Sequence, residues 1–290
     1  MILPFIAIVL FIFPLAARPL TLDTHYHLSP KPLPPACEAP SYDSFASSHK
    51  ISRSVVTQPA AMSSDHGYVL SSLSASRKGI LLLTPSRSPS PDLPPSPTAV
   101  TTAEDYARMS AGNSHVAGAR FNPALFPSSG VPDAFLRLYD HLGSPPDGYD
   151  PARPGPSHNG VASLILMSGF AEHEDLLLRL LYSSPSTRVV IDHMGFCPMT
   201  KEGDKGYGRL LELVKEVENV YVRCSAPFRT DRDYREVGRG RVEGLVRAKQ
   251  ERALWGTDWP FEERAGEWME VCERLGVKDG PGEELYGFVE

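Results

Sequence analysis

The chain has 290 residues, with 35 acidic against 29 basic side chains and a formal net charge of -6. That balance excludes general nucleic-acid binding. Hydrophobic residues at 41% supply a packed core and exclude wholesale disorder, and no Gly-X-Y period or sustained heptad appears. Proline, at 28 residues, is about twice as frequent as usual, so long irregular connections are expected around a compact core.

In chain order, Met1 to Ala17 is apolar throughout, with the first charge at Arg18. A spanning helix needs about 20 apolar residues, and Pro4 and Pro14 interrupt this run. Its length and the small residues Ala16 and Ala17 fit a signal-peptide core and cleavage site, without the positive leading region. A signal peptide implies secretion. A buried segment or a gene-model artefact, the alternatives, leave the protein cytoplasmic, and a membrane partner is not expected. Residues 18–290 are expected to form one domain.

Eight short apolar runs follow as strand candidates, at 19–23, 54–58, 79–83, 116–121, 162–167, 188–192, 220–225 and 253–258. Amphipathic helical patterns lie between the later ones, at 172–182, 207–217 and 240–250. Alternating strands and helices predict parallel βαβ units, and fully apolar strands predict a sheet covered on both faces. Eight such units over about 250 residues fit a (β/α)8 TIM barrel; a doubly wound open sheet is the alternative. Two Pro-rich stretches, 84–102 and 143–160, read as flexible insertions. The cysteines, Cys37, Cys197, Cys224 and Cys272, form no C-x-x-C pair and read as free buried thiols.

Several runs end in residues that can do chemistry. In Asp23-Thr24-His25-Tyr26-His27, strand alternation points both histidines to one face, where two imidazoles can hold a metal or polarise a carbonyl. In Val190-Ile191-Asp192-His193-Met194-Gly195, an apolar run delivers His193 to a strand end, where barrel sites lie. Asp258, in Gly256-Thr257-Asp258-Trp259-Pro260, is a candidate base or metal ligand, or a turn residue. Arg120, before Phe121-Asn122-Pro123, and Arg229, in Ser225-Ala226-Pro227-Phe228-Arg229, can each grip a carboxylate or form a surface ion pair. Asp65 and His66 form a further polar pair after the second run.

The ordered set of these motifs, with Val55-Val56-Thr57-Gln58-Pro59, resembles the amidohydrolase superfamily over about residues 19–275. Within it, the pattern is similar to the 2-pyrone-4,6-dicarboxylate lactonase branch. The resemblance implies a (β/α)8 hydrolase that opens a small carboxylated cyclic ester. It makes Asp258 the water-activating base, places His25, His27 and His193 around the scissile carbonyl, and gives Arg120 and Arg229 to the substrate carboxylates. It implies either no cofactor or one divalent metal, zinc by the usage of the wider family, held by His25, His27, His193 and Asp258. The metal-dependent decarboxylases of this family carry another histidine on the strand before the Asp258 motif. Here that run is Val220 to Ser225, without one. Relatives continue through an Asn and a short helix that closes the barrel, whereas this sequence ends at Gly287-Phe288-Val289-Glu290; with the 84–102 insertion, this makes a degenerate, non-catalytic barrel the contrasting expectation.

Overall fold

The computed structural model describes residues 20–28, 42–58, 66–84, 99–126, 131–148, 150, 159–166, 168–196, 205–227, 236–260 and 264–288. The strands are β1 (Leu22–Tyr26), β2 (Arg53–Thr57), β3 (Arg77–Leu82), β4 (Val116–Phe121), β5 (Val161–Leu164), β6 (Arg188–Ile191), β7 (Val220–Cys224) and β8 (Ala253–Trp255). They pair in parallel in sequence order, β1 through β8. Helices alternate with them: α1 (Tyr42–Ser48), α2 (Gly67–Ser72), α3 (Ala103–Gly112), α4 (Asp133–Gly143), α5 (Phe170–Ser183), α6 (Lys205–Glu216) and α7 (Val237–Lys249), followed by α8 (Ala265–Arg274) and α9 (Gly280–Tyr286). A parallel bridge between Tyr26 and Trp259 brings the last strand back to the first. The fold is therefore the expected (β/α)8 barrel.

The strands sort their side chains with period two. Val56, Leu81, Ala162, Val189, Ile191 and Val222 pack outward with the helices in one large core. Val55, Ile80, Val161, Val190, Tyr221 and Leu254 form a separate inner cluster, which Leu285 and Tyr286 of α9 join. The inner layer is thus filled at its floor, as barrel interiors are. One period further along the same strands the inward positions turn polar: Ser163, Asp192, Arg223 and then Ser225 are all buried.

The longer helices cover the sheet with helical-period apolar stripes. In α4 this is Phe135, Leu138, Tyr139 and Leu142; in α5 it is Phe170, Leu177 and Leu180. Helix α3 starts on a cap, with Thr102 Oγ1 accepting from the Asp105 amide at 3.1 Å. A short helix, α9, does pack against the barrel floor near the end of the sequence. Its Gly-Pro-Gly start hid the pattern, yet Leu285 and Tyr286 are buried in the floor.

The candidate signal segment 1–17 lies outside the described residues, as do 85–98 and half of 143–160. Where the chain returns from the first insertion, Val100 bridges Leu83 in parallel. Among the described residues no helix is long and apolar enough to cross a membrane. Cys224 and Cys272 are free and buried, as expected; Cys37 and Cys197 lie outside the described residues.

Candidate functional site

Asp258, His25, His27 and His193 come together at the carboxyl ends of the strands. His25 lies within β1 and His27 one residue beyond it, so alternation aims both inward. His193 follows β6 on a tight left-handed turn, in which His193, Met194 and Gly195 have φ of 53°, 52° and 76°. Asp258 is itself left-handed, at φ 57°. Non-glycine residues pay about 1–2 kcal/mol each for this conformation, and such strain persists where the surrounding structure holds it. Here it turns His193 and Asp258 toward the histidines of β1.

Three imidazoles surround one carboxylate oxygen. The Nε2 atoms of His27, His25 and His193 lie 3.2, 3.6 and 3.8 Å from Asp258 Oδ1. All four residues are buried. The rings of His25 and His193 stack, with centroids 4.9 Å apart and planes 25° from parallel. Burial, then the nearby Arg223, His27, His193 and Arg120, hold His25 well below the usual histidine range, so it is neutral.

The orientation of His27 is set by the backbone. Its Nδ1 donates to the Thr57 carbonyl at 2.6 Å, because a carbonyl only accepts. In neutral His27, Nε2 then offers a lone pair to an oxygen that also only accepts. A proton on Nε2, or a cation between the two atoms, resolves this contact. His25 Nε2 is buried without a hydrogen-bond partner. His25, His193 and Asp258 each bring one ligand atom within 4.8 Å of the others. The donor set of imidazole nitrogens and a carboxylate fits a divalent transition ion such as zinc.

Beneath this cluster lies an ion network. Arg120 Nε donates to Asp192 Oδ2 at 3.1 Å and its Nη1 to the Gln58 carbonyl at 3.3 Å. Ser163 Oγ donates to Asp192 Oδ1 at 3.1 Å, and Arg223 Nη1 pairs with the same oxygen. Arg223 Nη2 also donates to the Tyr286 hydroxyl at 2.6 Å. Burial alone would raise the Asp192 carboxyl, but Arg223 and Arg120 outweigh it and hold the group below its ordinary value. Arg120 thus reaches the barrel interior, as its strand position predicts, with its guanidinium on Asp192. Arg229 lies outside the described residues. His66 does not join the cluster; it stands before α2 with its Nε2 donating to the Leu82 carbonyl at 3.0 Å.

Sequence reading passed over three residues that complete the site. Asp23 Oδ1 accepts from the amides of His25 and Thr257, both at 3.0 Å. Its Oδ2 accepts from Thr257 Oγ1 at 2.7 Å and Tyr42 Oη at 3.0 Å. Arg223 was legible as a charge inside an apolar strand. Ser225 Oγ lies 2.9 Å from His193 Nδ1 and 3.3 Å from His25 Nδ1.

Comparison with known proteins identifies the family and the fold. The family model described as amidohydrolase matches residues 89–273, well over half of the chain. No curated protein matches the sequence significantly. Among solved structures, a protein of Acinetobacter baumannii, provisionally assigned as a 2-pyrone-4,6-dicarboxylic acid hydrolase and solved with citric acid bound, is 20% identical. The match covers 92% of this chain and 99% of that one, with a TM-score of 0.65. A Pseudomonas putida protein with the same provisional assignment is 21% identical over 93% of this chain and 98% of its own, at 0.62. A zinc-bound amidohydrolase of Burkholderia multivorans is 11% identical over 92% and 99%, at 0.54. At these identities the structures speak for the fold, and the family match carries the assignment: the chain belongs to the amidohydrolase family.

Proposed function

We propose that this protein hydrolyses a small lactone bearing carboxylate groups, with Asp258 as the base that activates water. The observation that carries the reading is the buried Asp258 carboxylate with three imidazole Nε2 atoms gathered around one of its oxygens. Asp258 takes a proton from water as the oxygen adds to the lactone carbonyl carbon. Imidazoles facing the same space stabilise the carbonyl oxygen as it gains charge. His27, with its Nδ1 on the Thr57 carbonyl, presents Nε2 to the same space. As the ring C–O bond breaks, Asp258 returns its proton to the leaving alkoxide. When bound by His25, His193 and Asp258, with His27 beside them, a divalent cation supplies charge to the carbonyl oxygen and acidity to water.

In this reading a substrate carboxylate is held by arginine. Arg120 and Arg223 share the carboxylate of Asp192, and Arg120 offers a local positive charge toward an anionic ligand. Arg229 follows β7 and is a second anchor in this reading. The absence of a histidine from Val220 to Ser225 favours a lactonase over a decarboxylase.

The full-length protein is assayed against 2-pyrone-4,6-dicarboxylate, a muconolactone and an aldonolactone, each with and without a chelator. Turnover of a carboxylated lactone that disappears in Asp258→Asn supports the assignment. A folded protein inert toward the whole panel overturns it. Activity lost to the chelator and restored by zinc makes the histidines and Asp258 metal ligands.

A further inference from the structure

Ser225 is a buried hydroxyl between the Nδ1 atoms of two stacked imidazoles, at 2.9 Å from His193 and 3.3 Å from His25. Both rings turn their other nitrogen toward Asp258 Oδ1. A hydroxyl has one hydrogen and two lone pairs. It can therefore donate to one Nδ1 at most, and the other Nδ1 must itself carry a hydrogen and donate to Ser225.

In a neutral imidazole a hydrogen on Nδ1 leaves Nε2 bare. A carboxylate beside two imidazoles would otherwise favour hydrogens on both Nε2 atoms, pointing at its oxygen. That arrangement closes the pair, because neither imidazole keeps an Nε2 lone pair to bind a cation. We propose that Ser225 is a positioning residue that forbids this closed state. Its shared hydroxyl keeps at least one of His25 and His193 with an open Nε2 lone pair beside Asp258. Ser225 thereby does for this pair what the Thr57 carbonyl does for His27, with one difference. A carbonyl imposes one tautomer, whereas the hydroxyl permits an asymmetric pair and a pair with both Nδ1 atoms protonated. The second is the arrangement two ligating imidazoles need.

The inference rests on the proposed site but not on its substrate, so it is tested without turnover. Long-range 1H–15N spectra of the imidazoles in metal-free, full-length protein report which nitrogen of each ring bears hydrogen, with His25→Gln and His193→Gln assigning the signals. At least one bare Nε2 is expected in the wild type and in Ser225→Thr. Ser225→Ala is expected to move toward hydrogens on both Nε2 atoms. Zinc affinity, read by competition with a chelator, should fall about 10- to 100-fold in Ser225→Ala and recover in Ser225→Thr.

Two protonated Nε2 atoms in the wild type would overturn the proposal, as would unchanged tautomers in a folded Ser225→Ala. Should Ser225→Ala fail to fold, the wild-type spectrum and the Ser225→Thr affinity still decide. Should the wild type bind no zinc, the spectra decide alone. A protein inert toward lactones with the expected tautomers would refute the substrate reading and leave the role of Ser225 standing.

Discussion

Seven of the barrel's eight strand junctions are parallel ladders, and the eighth, between β8 and β1, is built differently. From β1 to β8 the strands pair through parallel backbone bonds, with register shifts in the β1–β2 and β3–β4 ladders. At the closing seam the Asp258 amide donates to the His25 carbonyl and the His27 amide to the Trp259 carbonyl, both at 2.8 Å. The rest is side-chain work: Asp23 gathers Thr257, His25 and Tyr42, and the Thr24 hydroxyl donates to the Trp255 carbonyl. Gly256 lets the two backbones approach, since a Cβ there would lie 2.6 Å from His25 Cβ and 2.9 Å from its nitrogen. A ladder fixes backbones and leaves side chains to alternate. A seam made of side chains can place individual groups off that regular lattice, and His25, His27 and Asp258 all stand on it.

Four measurements break or sharpen this contrast. The largest effect is expected from Asp258→Asn, which keeps the seam's backbone bonds and removes the base. Turnover should fall by about 10²- to 10⁴-fold with the thermal melt unchanged; a rate near wild type would remove Asp258 from its role. Next is Asp23→Ala, which strands the amides of His25 and Thr257 inside the protein. It should cost about 3 kcal/mol in denaturant unfolding, and a loss within experimental error of zero would show that Asp23 does not hold the seam. A change of similar burial within a ladder serves as the control: Ile80→Val should cost about 1 kcal/mol and leave turnover intact. A large loss of activity in that variant would erase the distinction between seam and ladder.

The smallest effect concerns the start of the seam. Asp279 accepts from the Thr21 amide and hydroxyl at 2.7 and 2.8 Å, and burial raises its carboxyl above the ordinary value despite these bonds. A carboxyl raised by folding stabilises the protein below its unfolded value, and that contribution fades as pH rises through the folded one. Unfolding free energies measured from acid to neutral pH should show this slope in the wild type and a shallower one in Asp279→Asn. Equal slopes would remove Asp279 from the pH response.

The ladders were the more legible part of the sequence. The run 116–121 coincides with β4, four of the other seven match their strands to within two residues at both ends, and 162–167 and 253–258 overrun theirs by three residues at the carboxyl end. Apolar runs of four to six residues between helical patterns have few other solutions. The remaining run is instructive. The run at 19–23 became a strand at 22–26 because the histidine motif itself enters the sheet. Polarity disguised a strand whose inward face is a site rather than a core. The four clustered residues could be picked out because each stands beside a strand end. Ser225 and Asp23 could not, because their importance lies in partners 200 and 234 positions away along the chain. A serine or an aspartate next to a strand has many ordinary uses, and nothing local selects the one found here.

The contact between Tyr286 and Arg223 joins the two ends of the molecule. The phenol belongs to the last helix and lies in the barrel floor, while the guanidinium it meets also grips Asp192, the residue before His193. A selection for better turnover would therefore recover changes in the final dozen residues alongside changes around Asp258. An affinity tag fused to the carboxyl terminus belongs among the variables of any kinetic comparison.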